Sequence, residues 1–273
     1  MKKLKILSIV LLICSTALMA AFLIGERITL DVTAPVISCP EEPLRVSIHE
    51  PEEAFLAGVT ALDDRSGDVT NALVVEKLSA MGEDGSRIVT YAVIDRAGNV
   101  GRAERQLFYT DYTRPRFYFS DALRFDLGNR SGSLLGAVRV ISPLDGDMTD
   151  RIRYVQVDNS SLYTPGSKQL ELRVTDSTGT TVSLPVTVDM YYQDQEAIRV
   201  ELRNYLLYLP QGAAFDPQMQ FSGAEPEGTL TIEGGVDTHV PGVYELDYVV
   251  RSGDDYGKSR LVVVVEPPER EAN

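Results

Sequence analysis

A short motif occurs twice in this chain, and the distance between its copies limits the size of the folding unit. Gly-Asp-x-Thr stands at residues 67–70 and again at 146–149, and an Asp-x-x-x-Pro motif precedes each copy, at 31–35 and 111–115. Both pairs are separated by about 80 residues, the size of one small β-sandwich domain. The spacing therefore predicts tandem copies of a small domain rather than one large fold.

A second pattern extends the repeat to a third copy. Gly85, Gly166 and Gly242 are each followed by a stretch with a period of two residues, and in the last two copies the intervening residues are mostly polar. Such alternation predicts a half-buried β-strand with one face on a core. The residues on the predicted core faces are Arg87, Val89, Tyr91, Val93 and Asp95, then Lys168, Leu170, Leu172, Val174 and Asp176, and finally Tyr244, Leu246, Tyr248, Val250 and Ser252. Three such strands indicate three similar domains in tandem.

The repeated motifs resemble a known family. The run from Val236 to Val250, with its Pro-Gly-x-Tyr-x-Leu-x-Tyr-x-Val pattern, and Asp-Arg-Ala-Gly-Asn at 95–99 resemble the bacterial immunoglobulin-like family DUF5011. Its modules also occur in the Cry22Aa pesticidal crystal protein and are similar to HYR and cadherin-like sandwiches. The resemblance covers roughly residues 31 to 266 and implies immunoglobulin-like β-sandwiches. The second copy departs from it because 176–179 lacks the asparagine, and the third has Gly-Thr-Leu-Thr at 228–231 in place of Gly-Asp-x-Thr.

The predicted fold class is all-β, with three tandem immunoglobulin-like β-sandwiches behind one N-terminal transmembrane helix. We place the segment boundaries at 1–5 for a cytoplasmic stub, 6–25 for the membrane span, 26–32 for a short stalk, 33–110, 111–192 and 193–266 for the three domains, and 267–273 for a disordered tail.

The N-terminal segment predicts attachment to a membrane. Residues 6–25 carry no charge, and twenty helical residues span roughly 30 Å, the thickness of a bilayer's hydrocarbon core. Three lysines lie within the first five residues, which favours a cytoplasmic N-terminus and an extracellular bulk. The bacterial membrane is thus one expected partner. The alternative is a signal peptide that is cleaved, which would release the protein.

Charge and cysteine content exclude some partners and favour one compartment. The net charge of −14 argues against nucleic acid as a partner. The two cysteines, Cys14 and Cys39, lie in the predicted span and the first domain, so no disulfide can form within a domain. An exported β-sandwich without disulfides fits a bacterial exterior better than an animal one.

The aspartates around the first Gly-Asp-x-Thr motif allow two interpretations. Asp63, Asp64 and Asp68 lie close together in sequence, and Asp95 ends a neighbouring predicted strand. Ca²⁺ takes six to eight oxygen ligands, often from carboxylates on such loops, so these four residues could form a calcium site. The simpler interpretation is that the same residues stabilise tight turns without a metal, as Asp does in Asx turns. No other cofactor is expected.

No catalytic constellation stands out. The only histidines, His49 and His239, lie away from any serine motif, and we expect both to be exposed polar residues. Zinc-ligand spacings are missing from the sequence. We therefore expect a non-enzymatic surface protein whose domains act as spacer, adhesion or interaction modules toward an unknown extracellular protein or glycan. The alternative is a carbohydrate-binding or cell-wall-binding module, or a calcium-dependent one accessory to an enzyme system.

Overall fold

The computed structural model describes residues 2–29, 31–128, 133–158, 160–192 and 197–268, and in these ranges the protein is all-β apart from one long α-helix and short 3₁₀ turns. The chain divides into two compact units, Met1–Asp111 and Tyr112–Asn273. The described residues form three hydrophobic cores, one in the first unit and two in the second. The all-β fold class is confirmed.

The N-terminal helix, α1, begins at Lys2 and ends at Thr29. Among the residues that the structure describes, no helix combines the length and the apolarity needed to cross a membrane. The membrane span predicted at 6–25 is therefore not supported by the structure. The side chains at both ends of that stretch, residues 6–7 and 23–25, lie outside the described part of the chain.

The first unit contains one β-sandwich made of a three-stranded and a four-stranded sheet. The sheet orders are β1-β3-β4 and β2-β7-β6-β5. The strands are β1 (Val36–Ser38), β2 (Leu44–Val46), β3 (Thr60–Asp63), β4 (Gly67–Asp68), β5 (Val74–Leu78), β6 (Ser86–Ile94) and β7 (Val100–Tyr109). Strand β2 runs parallel to β7 at the edge of the larger sheet, and the other pairs are antiparallel.

The register predicted for β6 is confirmed. All five residues of the predicted core face are buried, from Arg87 to Asp95. Tyr91 is fully buried, and its hydroxyl donates to the main-chain oxygen of Phe55 at 2.8 Å. The aromatic ring thus fills the core while the hydroxyl is paired, as a buried tyrosine requires.

The Gly-Asp-x-Thr motif has a structural role in this sandwich. Gly67 adopts a φ of 76°, which favours glycine, where β3 turns into β4. Thr70 accepts a hydrogen bond from the Ala61 N–H at 3.0 Å, and Asp68 accepts one from the Thr70 N–H at 2.9 Å. The second copy of the motif has the same glycine conformation, at Gly146, and the same two hydrogen bonds. The motif therefore marks a turn that joins two short strands of the smaller sheet.

The second unit contains two further sandwiches, of which the second repeats this arrangement and the third combines a two-stranded with a four-stranded sheet. Their sheet orders are β11-β10-β8 with β12-β13-β14-β9, and β15-β17 with β16-β20-β19-β18. The strands of the second sandwich are β8 (Arg116–Phe119), β9 (Arg124–Asp126), β10 (Val138–Ser142), β11 (Gly146–Asp147), β12 (Arg153–Gln156), β13 (Gly166–Thr175) and β14 (Thr181–Tyr191). Those of the third are β15 (Arg199–Leu202), β16 (Leu206–Pro210), β17 (Phe221–Glu225), β18 (Thr229–Gly234), β19 (Gly242–Ser252) and β20 (Asp255–Glu266).

Strand β20 is buried on both of its faces. Leu261, Val263 and Val265 belong to the core of the third sandwich, whereas Val262 belongs to the core of the second, against which Val264 also packs. This explains the unbroken apolar run at 261–265, because a strand covered on both sides needs no polar face. The second and third sandwiches therefore share a wall. The polar join predicted between them, 193–196, lies outside the described residues.

Candidate functional sites

Three carboxylates meet at one end of the first sandwich. Asp31 precedes β1, Asp63 ends β3 and Asp95 follows β6, and one oxygen of each lies within 4.8 Å of the others. Asp63 and Asp95 are 4% and 7% exposed, and Asp31 is half-buried. The fold thus gathers three acidic groups from distant parts of the sequence into a largely buried place.

Hydrogen bonds from the surrounding loops keep two of these groups ionised. The Ser66 N–H chiefly, with the Arg65 N–H, holds the pKa of Asp63 below its ordinary value, although burial and the charge of Asp95 act to raise that pKa. Burial also acts to raise the pKa of Asp95, but hydrogen bonds from Asn99 outweigh burial and lower the pKa. Negative charge is therefore concentrated here near neutral pH.

The structure does not bring all four residues of the predicted calcium site into one group. Asp63 and Asp95 are brought together, but with Asp31 in place of Asp64 and Asp68. Asp64 is exposed, and its Oδ1 lies 3.1 Å from the Thr33 hydroxyl oxygen. Asp68 is exposed and accepts a hydrogen bond from the Thr70 N–H in the turn.

Asp31 is the residue that sequence reasoning missed. A signal was present, because Asp31 is the first residue of the repeated Asp-x-x-x-Pro motif. Its proximity to Asp63 and Asp95 arises only when β1 pairs with β3, an antiparallel pairing in which Val36 lies opposite Leu62.

The second unit contains a cleft. Its volume is about 430 Å³, within the size range of small-ligand sites. The guanidinium of Arg124 lies 4.2 Å from the centre of the Tyr191 ring, and Ser259 is buried with a hydroxyl that has no hydrogen-bond partner. Further polar and aromatic groups that line the cleft are Asp121, Arg199, Tyr205 and Glu225.

A buried ion network joins the two sandwiches of the second unit. Arg260, whose side chain is 8% exposed, binds both carboxylate oxygens of Asp247, at 2.6 and 2.9 Å. The same guanidinium donates to the main-chain oxygen of Thr187 on the second sandwich at 3.2 Å. Lys258 lies 3.0 Å from Asp247 and 3.1 Å from Asp189 of the second sandwich. Burial acts to raise the pKa of Asp247, but Arg260 and Lys258 outweigh it and the pKa lies below its ordinary value.

Both histidines are exposed, as predicted. The Nδ1 atom of His239 lies 3.6 Å from Oδ1 of Asp237, and 84% of the His239 side chain is exposed.

No protein-family model matches the chain, and no curated protein matches it. Among solved structures, the chain is similar to a structure of Clostridium perfringens ZmpB that contains CBM51-2 in complex with GlcNAc and INT domains. The alignment covers 86% of this chain and 42% of that one, at 18% identity and a TM-score of 0.23. The chain also aligns over 85% of its length with 99% of Drosophila N-cadherin EC1–3, at 11% identity and a TM-score of 0.28. A third similar structure is the lipoprotein BT2262 from Bacteroides thetaiotaomicron. The alignment covers 84% of this chain and 98% of the lipoprotein, at 13% identity and a TM-score of 0.21. The chain spans less than half the length of the ZmpB structures it matches. At these TM-scores the similarities carry no argument about function.

Proposed function

We propose that this chain is a non-catalytic bacterial surface protein whose immunoglobulin-like sandwiches serve as spacer, adhesion or interaction modules outside the cytoplasmic membrane. The observation that carries the proposal is the wall shared by the second and third sandwiches, in which β20 contributes to both cores. A module pair with a common wall holds its outer surfaces in a fixed relative orientation, which is what a spacer or a binding arm requires.

Charged contacts between the second and third sandwiches also support a fixed relative orientation. Arg260 and Lys258 of the third sandwich reach acceptors on the second, so bending the pair would separate charges that are buried at the junction. Breaking a buried ion pair costs several kcal/mol. The junction therefore acts as a stiff connection.

A location outside the cytoplasm fits the acidic, soluble surface that the net charge of −14 provides. Residues 6–25 would direct export in either form, as an anchor that stays attached or as a signal that is removed.

Protease treatment of intact cells tests the proposal. A protease that cannot cross the membrane should degrade the sandwiches while a cytoplasmic marker survives. Chemical crosslinking on cells that were not treated with protease should capture envelope proteins or wall fragments on the full chain. Protection of the chain until the cells are lysed would contradict the proposal.

The cleft in the second unit favours carbohydrate binding as a second candidate. Tyr191 with Arg124 offers a flat aromatic and cationic surface, and Asp121 and Glu225 offer acceptors for sugar hydroxyl groups. In a glycan array, Tyr191→Ala should lose the signal of the full chain. Tyr163→Ala is the matched control, because Tyr163 is 87% exposed and does not line the cleft. Equal signals from both variants would remove this candidate.

A further inference from the structure

Asp63 carries a buried carboxylate oxygen that the protein does not satisfy. Its Oδ1 accepts hydrogen bonds from the N–H groups of Arg65 and Ser66, at 3.1 and 2.5 Å. Its Oδ2 is buried and has no hydrogen-bond partner. An anionic oxygen removed from water without a partner is strongly unfavourable, so a partner of positive charge is expected at this place.

The neighbouring groups add charge without supplying that partner. Asp95 accepts hydrogen bonds from the main chain and side chain of Asn99, both at 2.8 Å, and Asp31 accepts from the N–H and hydroxyl of Thr33. These bonds fix the orientation of Asp95 and Asp31 and leave further lone pairs on their carboxylates. The three carboxylates are thus held in place for a common ligand.

We propose that Asp31, Asp63 and Asp95 bind a divalent cation, with Ca²⁺ preferred over Mg²⁺. Carboxylate oxygens suit hard cations. Ca²⁺ accepts six to eight oxygen ligands in a flexible geometry, whereas Mg²⁺ demands near-ideal octahedral geometry and usually keeps several of its waters. Three carboxylates that converge from separate segments of the chain therefore suit Ca²⁺ better. Waters and main-chain oxygens would complete the coordination shell.

The second sandwich shows that this acidic group is not needed to close the fold. Ser142 stands opposite Gly146 as Asp63 stands opposite Gly67, so a neutral hydroxyl replaces the buried carboxylate. The Ser142 hydroxyl accepts the two turn N–H groups in the same way. Asp176, the counterpart of Asp95, accepts hydrogen bonds from the hydroxyls of Tyr112 and Thr178, both at 2.6 Å. The polar groups at this place in the second sandwich are thus satisfied by hydrogen bonds alone. The second sandwich therefore serves as an internal control that lacks the proposed cation site.

Calorimetric titration of the chelator-treated full chain with CaCl₂ tests the proposal. We expect one Ca²⁺ per chain with a dissociation constant of about 10⁻⁴ to 10⁻³ M, the range of extracellular modules, and weaker binding of Mg²⁺. Ca²⁺ should also slow hydrogen exchange at 63–66 and 95–99 and leave 142–147 unchanged. No Ca²⁺-specific heat and no slowed exchange would overturn the proposal.

Two variants identify the ligands. Asp63→Asn should weaken Ca²⁺ binding at least about tenfold, because it removes one of three charges that act on the ion. Asp68→Asn, a change in the same loop but outside the group, should leave the affinity within about twofold. Equal losses in both variants would overturn the assigned ligands. If Asp63→Asn fails to fold, Asp31→Asn at the half-buried ligand should show the same tenfold loss, and an unchanged affinity there would overturn the proposal.

Discussion

Replacing Arg260 tests whether the second and third sandwiches are held together by buried charge. Arg260→Met keeps much of the apolar volume but removes the bidentate pair with Asp247 and the hydrogen bond to Thr187. Asp247 would then stay partly buried with only Lys258 as a charged partner, 3.0 Å away.

The expected loss of unfolding free energy follows from the burial of the Arg260–Asp247 pair. Removing one partner of a buried ion pair costs about 3 to 5 kcal/mol, because the remaining charge is left uncompensated. Lys258 compensates part of the charge, so we expect the lower end, about 3 kcal/mol. For a unit of about 160 residues that loss lowers the unfolding midpoint by roughly 6 to 12 °C.

The assay is thermal and urea unfolding of the full chain, followed by tyrosine fluorescence because the chain contains 13 tyrosines and no tryptophan. Arg139→Met is the matched control, since Arg139 pairs with Asp147 at 2.8 Å in the same unit but is 62% exposed. Exposed pairs of this kind contribute about 1 kcal/mol or less.

A double variant separates charge from packing. Adding Asp247→Leu to Arg260→Met removes the uncompensated carboxylate, so the double variant should recover part of the lost stability, with a coupling of about 0.5 to 3 kcal/mol. If Arg260→Met destabilises no more than Arg139→Met, the argument that buried charge stiffens the junction is wrong.

Three further predictions concern packing, pH and export. Gly257→Ala should destabilise the second unit by about 1 to 3 kcal/mol, because its Cβ would overlap a main-chain carbonyl oxygen, whereas Gly235→Ala, whose Cβ meets nothing within 4 Å, should change the midpoint little. Equal midpoint shifts would show that β20 has room to move. The pKa of Asp247 is lowered on folding, so its contribution should be present above the unfolded pKa of about 4 and be lost as pH falls through the folded value. Asp247→Asn should therefore unfold with a shallower acid limb than the native chain in pH-dependent denaturation, and parallel limbs would contradict this. If residues 6–25 anchor the protein, fractionation should leave it in the membrane pellet, and a soluble form that lacks this stretch would show cleavage instead.

The sequence by itself determined which face of β6 and β13 is buried, whereas in β19 Ser252 of the predicted core face is exposed and Val249 of the opposite face is buried. Alternation has a period of two, and a strand with one face on a core must follow it, so Val89, Tyr91 and Val93 could be assigned without a structure. The Gly-Asp-x-Thr turns were likewise readable, because a glycine with positive φ and short-range hydrogen bonds are local properties.

Tertiary structure alone decided what covers the other faces. Glu245 and Asp247 carry the polar pattern of an exposed face, yet they lie half-buried at the junction with the second sandwich. A charged side chain is stabilised by water when it is exposed and by an ion pair when it is buried. The residue type alone therefore does not show whether the side chain is exposed or buried.

The tertiary structure also decided which aspartates form the acidic group. Asp63, Asp64 and Asp68 were close in sequence, but only Asp63 meets Asp95, and Asp31 joins them from the chain that enters the sandwich. Side chains on successive strand residues point to opposite faces, and turns use their carboxylates locally. Sequence proximity therefore gathers candidates, while the pairing of distant strands selects which of them share a site.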